Sequence, residues 1–216
     1  DYMEEESKEV YNKLAGIAEG DGSEDMKETL AASMKKRLPW LIALLFLGMF
    51  VSSVVGMFEG IVSKVAILVC FQSLILDMAG NVGTQSLAVT IRVLMDEEIT
   101  FKTRLALVWK EVKIGMANGG LLGIVSFLCI GVYVWLFKGN SILYGFAVSA
   151  CVGISLVLAM AISSFAGTVI PLFFHKIKVD PAVASGPLIT TVNDLVAVVT
   201  YYGMAWLMLF HLFHLA

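Results

Sequence analysis

Asp194 stands where a charge is costly. It lies well inside an apolar segment that opens Gly186-Pro187-Leu188-Ile189-Thr190-Thr191-Val192-Asn193-Asp194 and is long enough to cross a bilayer. An ionised group in hydrocarbon costs several kcal/mol unless it meets water, a cavity or a partner, and such residues mark ion paths by default. A second polar set lies upstream. At helical spacing Asp77, Asn81, Gln85, Ala88 and Arg92 share one face, with Gly80 and Gly83 beside them. Polar groups at that depth cannot face lipid, so the stripe must line protein or water. Thr190 and Thr191 sit one turn before Asp194. Carboxylates, an Asn, Thr hydroxyls and Gly-exposed carbonyls make an all-oxygen lining, the chemistry of hard divalent cations. No His or Cys joins this set, which disfavours zinc and copper. Magnesium dehydrates reluctantly and keeps several waters around one or two carboxylates, so so sparse a lining suits hydrated Mg2+ better than a caged Ca2+. The structural alternative is that the stripes only join helices by hydrogen bonds.

The elements that must position these residues are membrane spans. The chain of 216 residues is 58% hydrophobic and 15% charged, against about a quarter charged in soluble domains. It reads as an all-α integral membrane protein. Span 1 covers Pro39 to Phe58, with Trp40 at the interface and Gly48, Ser52, Gly56 and Gly60 as a smooth contact strip. Span 2 covers Val62 to about Leu94, too long for a simple crossing. Asp96 to Lys113 reads as a basic loop, Ile114 to Phe137 as span 3 and Ile142 to Phe174 as span 4, with Pro171 at its end or at a kink. Gly115, Gly119 and Gly123, and Gly145, Ser149 and Gly153, form packing strips in spans 3 and 4. Span 5 is expected to start at an Asp180-Pro181 cap and to be interrupted or kinked at Gly186-Pro187.

Lys and Arg fall on one side of this five-span scheme. Lys35, Lys36, Arg37, Arg92, Lys102, Arg104, Lys110, Lys113, Lys176 and Lys178 share a side, against Lys64 and Lys138 on the other. The asymmetry predicts a multi-pass protein of the cell membrane with the N-terminus in the cytoplasm and the C-terminus outside. Spans 2 and 5 then run antiparallel. Asp77 lies about midway along span 2, and Asp194 lies fourteen residues past Asp180, roughly 21 Å at 1.5 Å per residue. Both carboxylates fall near mid-depth.

The remaining features are weaker. Residues 1–36 are polar and acidic at the start, and Ser23 to Met26 reads as an N-cap for a helix through Lys36. The chain opens on Asp1, and the reading expects a piece of a longer protein. Cys70, Cys129 and Cys151 read as small buried hydrophobes. His211 and His214, at i and i+3 near the end of the chain, read as incidental. No nucleophile–base pair or closed catalytic cluster argues for an enzyme, and no basic footprint argues for nucleic acid.

Several pieces together resemble the membrane domain of the MgtE magnesium channels, whose eukaryotic relatives are the SLC41 transporters. They are Arg37-Leu38-Pro39-Trp40, Phe58-Glu59-Gly60, Gly80-Asn81-Val82-Gly83-Thr84-Gln85-Ser86 with Arg92, Lys110-Glu111, and Asp180 through Asp194. The resemblance implies a homodimer of five-helix protomers with a pore on the two-fold axis. It implies that Asp194 of both protomers holds a hydrated Mg2+, with backbone oxygens near Thr190 and the Gly80-Asn81-Gly83 segment beside it. Asp180 would mark a further ion site at the cytoplasmic mouth, and Asp77 is carried as a candidate ligand. Residues 1–36 would be the tail of a missing CBS domain with a connecting plug helix, and residues 37–216 the pore domain. The cytosolic N and CBS domains would be absent. Two rival readings remain, an ion-coupled secondary transporter of divalent cations and a structural membrane subunit.

Overall fold

The computed structural model describes residues 29–95, 100–178 and 186–212; the expected features of residues 1–28, of Asp180-Pro181 and of His214 lie outside them. It is all helical, with α1 Leu30–Gly56, a short α2 Glu59–Lys64, α3 Leu68–Met95, α4 Phe101–Phe137, α5 Ile142–Lys176, α6 Gly186–Ala205 and a π-helical segment Trp206–Leu212. Among the described residues four helical stretches are long and apolar enough to cross a membrane: Leu30–Gly56, Phe101–Phe137, Ile142–Lys176 and Gly186–Leu209.

Local chemistry sets the boundaries, and several differ from expectation. The cap of α1 is Thr29, whose side chain accepts from the Ala32 amide at 3.4 Å. The helix then passes through Pro39, so the expected polar lead-in and span 1 are one helix from Leu30 onward. Span 2 divides: α2 ends at Lys64, Val65 leaves helical geometry (φ −128°, ψ 69°) and α3 begins at Leu68. That break resolves the excess length of the apolar run. The expected basic loop is helical from Phe101, capped by Thr100, which accepts from the Thr103 amide at 3.3 Å. Ser141 caps α5 in the same way through the Tyr144 amide (3.2 Å), after a turn in which Gly139 takes φ +66°, open to glycine at no steric cost. Pro171 does not end α5, which continues to Lys176. Pro187 is the second residue of α6, in the first turn where its missing N–H costs nothing.

Helix α5 lies at the centre and packs against α3, α4 and α6. Its antiparallel contact with α4 follows the small-residue strips. A Cβ on Gly119 would lie 2.8 Å from the Val157 Cα, one on Gly123 would lie 2.8 Å from the Gly153 carbonyl oxygen, and one on Gly145 would lie 3.0 Å from the Gly131 oxygen. The backbones approach as closely as glycine permits, the packing mode expected of membrane helices. The main core joins Leu68, Ile75 and Ala79 of α3, Val148, Val152 and Leu156 of α5, and Ala197, Tyr201 and Tyr202 of α6. Cys151 lies in this core, whereas Cys70 and Cys129 are exposed, which corrects the expectation that all three are buried; all three are free thiols. Helix α1 has no buried residue and leans on α6.

Candidate ion site between α3 and α6

The two polar segments meet. Helices α3 and α6 run antiparallel, with Leu68 against Tyr201 at one end and Gly80 against Thr190 at the other. The Tyr201 hydroxyl donates to the Leu68 carbonyl (2.8 Å), and the Tyr202 hydroxyl donates to Gln72 Oε1 (2.6 Å) while its ring stacks on Phe58 at 5.5 Å. These bonds fix how far α6 can slide along α3. At the other end a Cβ on Gly80 would lie in ordinary contact with Thr190 Cγ2, 3.6 Å away.

One turn further along α3, Gly83 is buried, and the place its Cβ would take is filled by the Asn193 side-chain amide. The carbonyl oxygen of Gly83 in turn occupies the space beside Gly167 of α5. Three helices therefore converge on the absence of two side chains. The residue after Asn193 is Asp194, which is half-buried. Thr190 is exposed, and its hydroxyl donates to the Gly186 carbonyl (2.9 Å); Thr191 donates to the Pro187 carbonyl (2.9 Å). Both hydroxyls spend their proton on their own helix and keep oxygen lone pairs free to accept.

The predicted stripe of α3 lies on one face. Asp77, Asn81, Gln85, Ala88 and Arg92 are all exposed, while Ala79, Val82, Ser86 and Leu87 between them are buried. Asn81 and Gln85 border a recess of about 240 Å³ that also takes in Asn118 of α4 and Met160 of α5. Gly80 and Gly83 thus belong to the α6 contact, and Asn81 belongs to the open face. Among the described residues no three His, Cys, Asp or Glu side chains gather into a metal cage. His211 is exposed, and its ring sits edge-on to Trp206 at 4.5 Å.

Sequence reasoning gave no role to Asn193, which is 0% exposed and has no hydrogen-bond partner for either amide atom among the described residues. The sequence offered only its position beside Asp194 as a signal, since the glycine whose space it fills lies on another helix. Nor did it find the bond between buried Ser86 and Glu111, in which the hydroxyl donates to Glu111 Oε2 at 3.0 Å and ties α3 to α4. Glu111 was quoted only within a motif.

Residues 72–204 match the model of a protein family described as MgtE, divalent cation transporter. The chain belongs to this family. It is 40% identical to the magnesium transporter MgtE of Bacillus subtilis over 205 residues, which is 95% of this chain and 43% of that protein. The MgtE of Enterococcus faecalis is 38% identical over 207 residues, covering 95% of this chain and 42% of that protein. The MgtE of Thermus thermophilus is 30% identical over 210 residues, covering 97% and 44%. The chain spans less than half the length of these MgtE relatives. MgtE is a family of transport proteins and not of enzymes, and the matched segment contains nearly all of α3 and of α6, Asp194 included.

Proposed function

We propose that this chain is the membrane part of a magnesium channel, conducting hydrated Mg2+ past Asp194. The observation that carries this reading is the convergence of the Gly80–Gly83 segment with Thr190–Asp194 on one pair of antiparallel helices. Asp194 supplies the fixed negative charge. Oxygens of the exposed Thr190 and Asn81 face the ion's water shell and not the bare ion, since Mg2+ keeps its waters where few carboxylates are offered, while the buried Gly80 and Gly83 act by seating α6 against α3. Asp77 adds a second carboxylate along α3, and Asp180 a further ion site at the cytoplasmic mouth.

In this reading α3 is the fifth membrane crossing, and its polar face is covered by a second copy of the chain. Support comes from that face itself: a stripe from Asp77 to Arg92, exposed along its whole length, is intolerable against lipid. The protomers pair about a two-fold axis that carries the pore, with N-termini in the cytoplasm, and cytosolic domains of the full-length protein gate it.

The test is Mg2+ uptake by the full-length protein in liposomes. Asp194→Asn is expected to abolish uptake while the protein elutes at the same mass. Unchanged uptake would remove Asp194 from the pore. A variant that falls to monomers would support a structural role. Flux that follows the membrane potential without a proton or sodium gradient separates a channel from a coupled transporter.

A further inference from the structure

A second charged feature lies apart from the ion site, where the start of α4 meets the end of α5. Arg104 Nη2 lies 3.4 Å from His175 Nδ1. Arginine has no acceptor, so the contact is a hydrogen bond only with Nδ1 accepting, which leaves Nε2–H as the ring's donor. Among the described residues Arg104 Nε is buried without a partner. Lys102, Lys176 and Lys178 stand exposed on the same two helix ends. The nearest described carboxylate along α4, Glu111, is 4% exposed and engaged by Ser86. Among the described residues this guanidinium pairs with an imidazole and not with a carboxylate, and donors left to spare suit an oxyanion with several acceptor oxygens.

The surroundings decide which oxyanion. Phe101, Leu105 and Trp109, at i, i+4 and i+8, form an apolar stripe on the first turns of α4 and are 81%, 49% and 60% exposed; Phe173 on the last turns of α5 is 55% exposed. A free phosphate gains nothing from such a stripe. A lipid does, because its chains cover the apolar side chains while its headgroup meets the cations, and tryptophan favours this boundary. Basic pockets between membrane helices near the surface take anionic headgroups in this manner. We propose that the cleft between the first turns of α4 and the last turn of α5 binds the phosphate headgroup of an anionic lipid, held by Arg104 and His175, with its chains along the Phe101, Leu105 and Trp109 stripe.

The test uses the full-length protein in neutral detergent, with lipid retention read by native mass spectrometry and thermal unfolding recorded in parallel. Phosphatidylglycerol is expected to be retained and to raise the unfolding temperature, phosphatidylcholine to do neither. Arg104→Gln with His175→Gln is expected to lower phosphatidylglycerol retention roughly fivefold, in line with the loss of one surface cation at about 1 kcal/mol. Lys138→Gln, the same charge change at the other end of α4, should leave retention unchanged. Arg104→Lys keeps the charge without the planar fork and should restore part of the retention. Equal retention of both lipids, or a double variant that retains phosphatidylglycerol, overturns the proposal. A stabilising shift from inorganic phosphate alone overturns the lipid assignment. A double variant destabilised equally with and without lipid would mean that the pair is satisfied within the protein, by Asp96, Glu97, Glu98 or Asp180 of the adjoining connections, and would also overturn it.

Discussion

The glycines of the α3–α5–α6 junction differ in what a methyl group would strike, and this ranks their substitutions. At Gly80 a Cβ meets only Thr190 Cγ2 at ordinary distance, so Gly80→Ala should shift thermal unfolding little. At Gly83 it meets the Asn193 amide, the end of a side chain that can turn away. At Gly167 it meets the Gly83 carbonyl oxygen, which is backbone and cannot. Gly167→Ala should therefore cost the most, about 1–3 kcal/mol as an overpacked contact, and Gly83→Ala should fall between. Unfolding curves of the three variants in one detergent check the order, and a Gly80→Ala worse than Gly167→Ala refutes this geometry. Asn193 gives a second prediction at this scale. Replacing a buried amide that has no partner by an apolar side chain of similar shape is neutral or stabilising, so Asn193→Leu should match or exceed the parent in unfolding temperature. A clear loss of stability would mean the amide is bonded in the membrane.

At the scale of elements, α6 is held in two ways. Near Asp194 it is held by shape, through the Asn193 side chain in the space that Gly83 leaves on α3. At its far end it is held by hydroxyls, through Tyr201 to Leu68 and Tyr202 to Gln72. Interhelical hydrogen bonds in membrane proteins contribute about 0.6–2 kcal/mol each. Tyr201→Phe should lower stability by that amount, read by reversible unfolding, and leave the Asp194 end in place, so the Mg2+ concentration for half-maximal uptake should not move. A changed Mg2+ dependence would mean that the two ends of α6 are coupled. Helix α4 meets α3 through the buried bond of Ser86 to Glu111 and an edge contact between the Tyr133 and Phe71 rings at 6.4 Å, and rides on α5 through glycines.

At the scale of the whole molecule, two helix faces of the described chain are open. Helix α1 has no fully buried residue, with Val51, Val54 and Val55 packed partly against the core, and the Asp77 to Arg92 stripe is open from end to end. A second copy would cover both faces in the proposed dimer. Gln85→Leu should then leave the helical content unchanged while reducing Mg2+ uptake, with circular dichroism and liposome flux as the paired measurements. Normal flux in this variant would take the recess beside Asn81 and Asn118 out of the ion path.

Composition, apolar runs and small-residue spacing were sufficient for a helical membrane protein, because each is a property of a helix alone in contact with lipid. They placed the α3 stripe on one face and the α4–α5 glycine strips at a contact, and the motifs pointed to the MgtE family. The chain could not say which way Gly80 and Gly83 turn, since a glycine carries no side chain to show its face; only the neighbouring helices distinguish a residue pressed against Thr190 or Asn193 from one that opens on a recess. Helix ends were misplaced where a local signal pointed elsewhere: the lead-in and span 1 run as one helix through Pro39, and the basic run after Thr100 is already helix ahead of the apolar part of α4. Asn193 escaped notice because its environment is assembled from three helices distant in sequence. Burial of that kind is a tertiary property, and no local pattern encodes it.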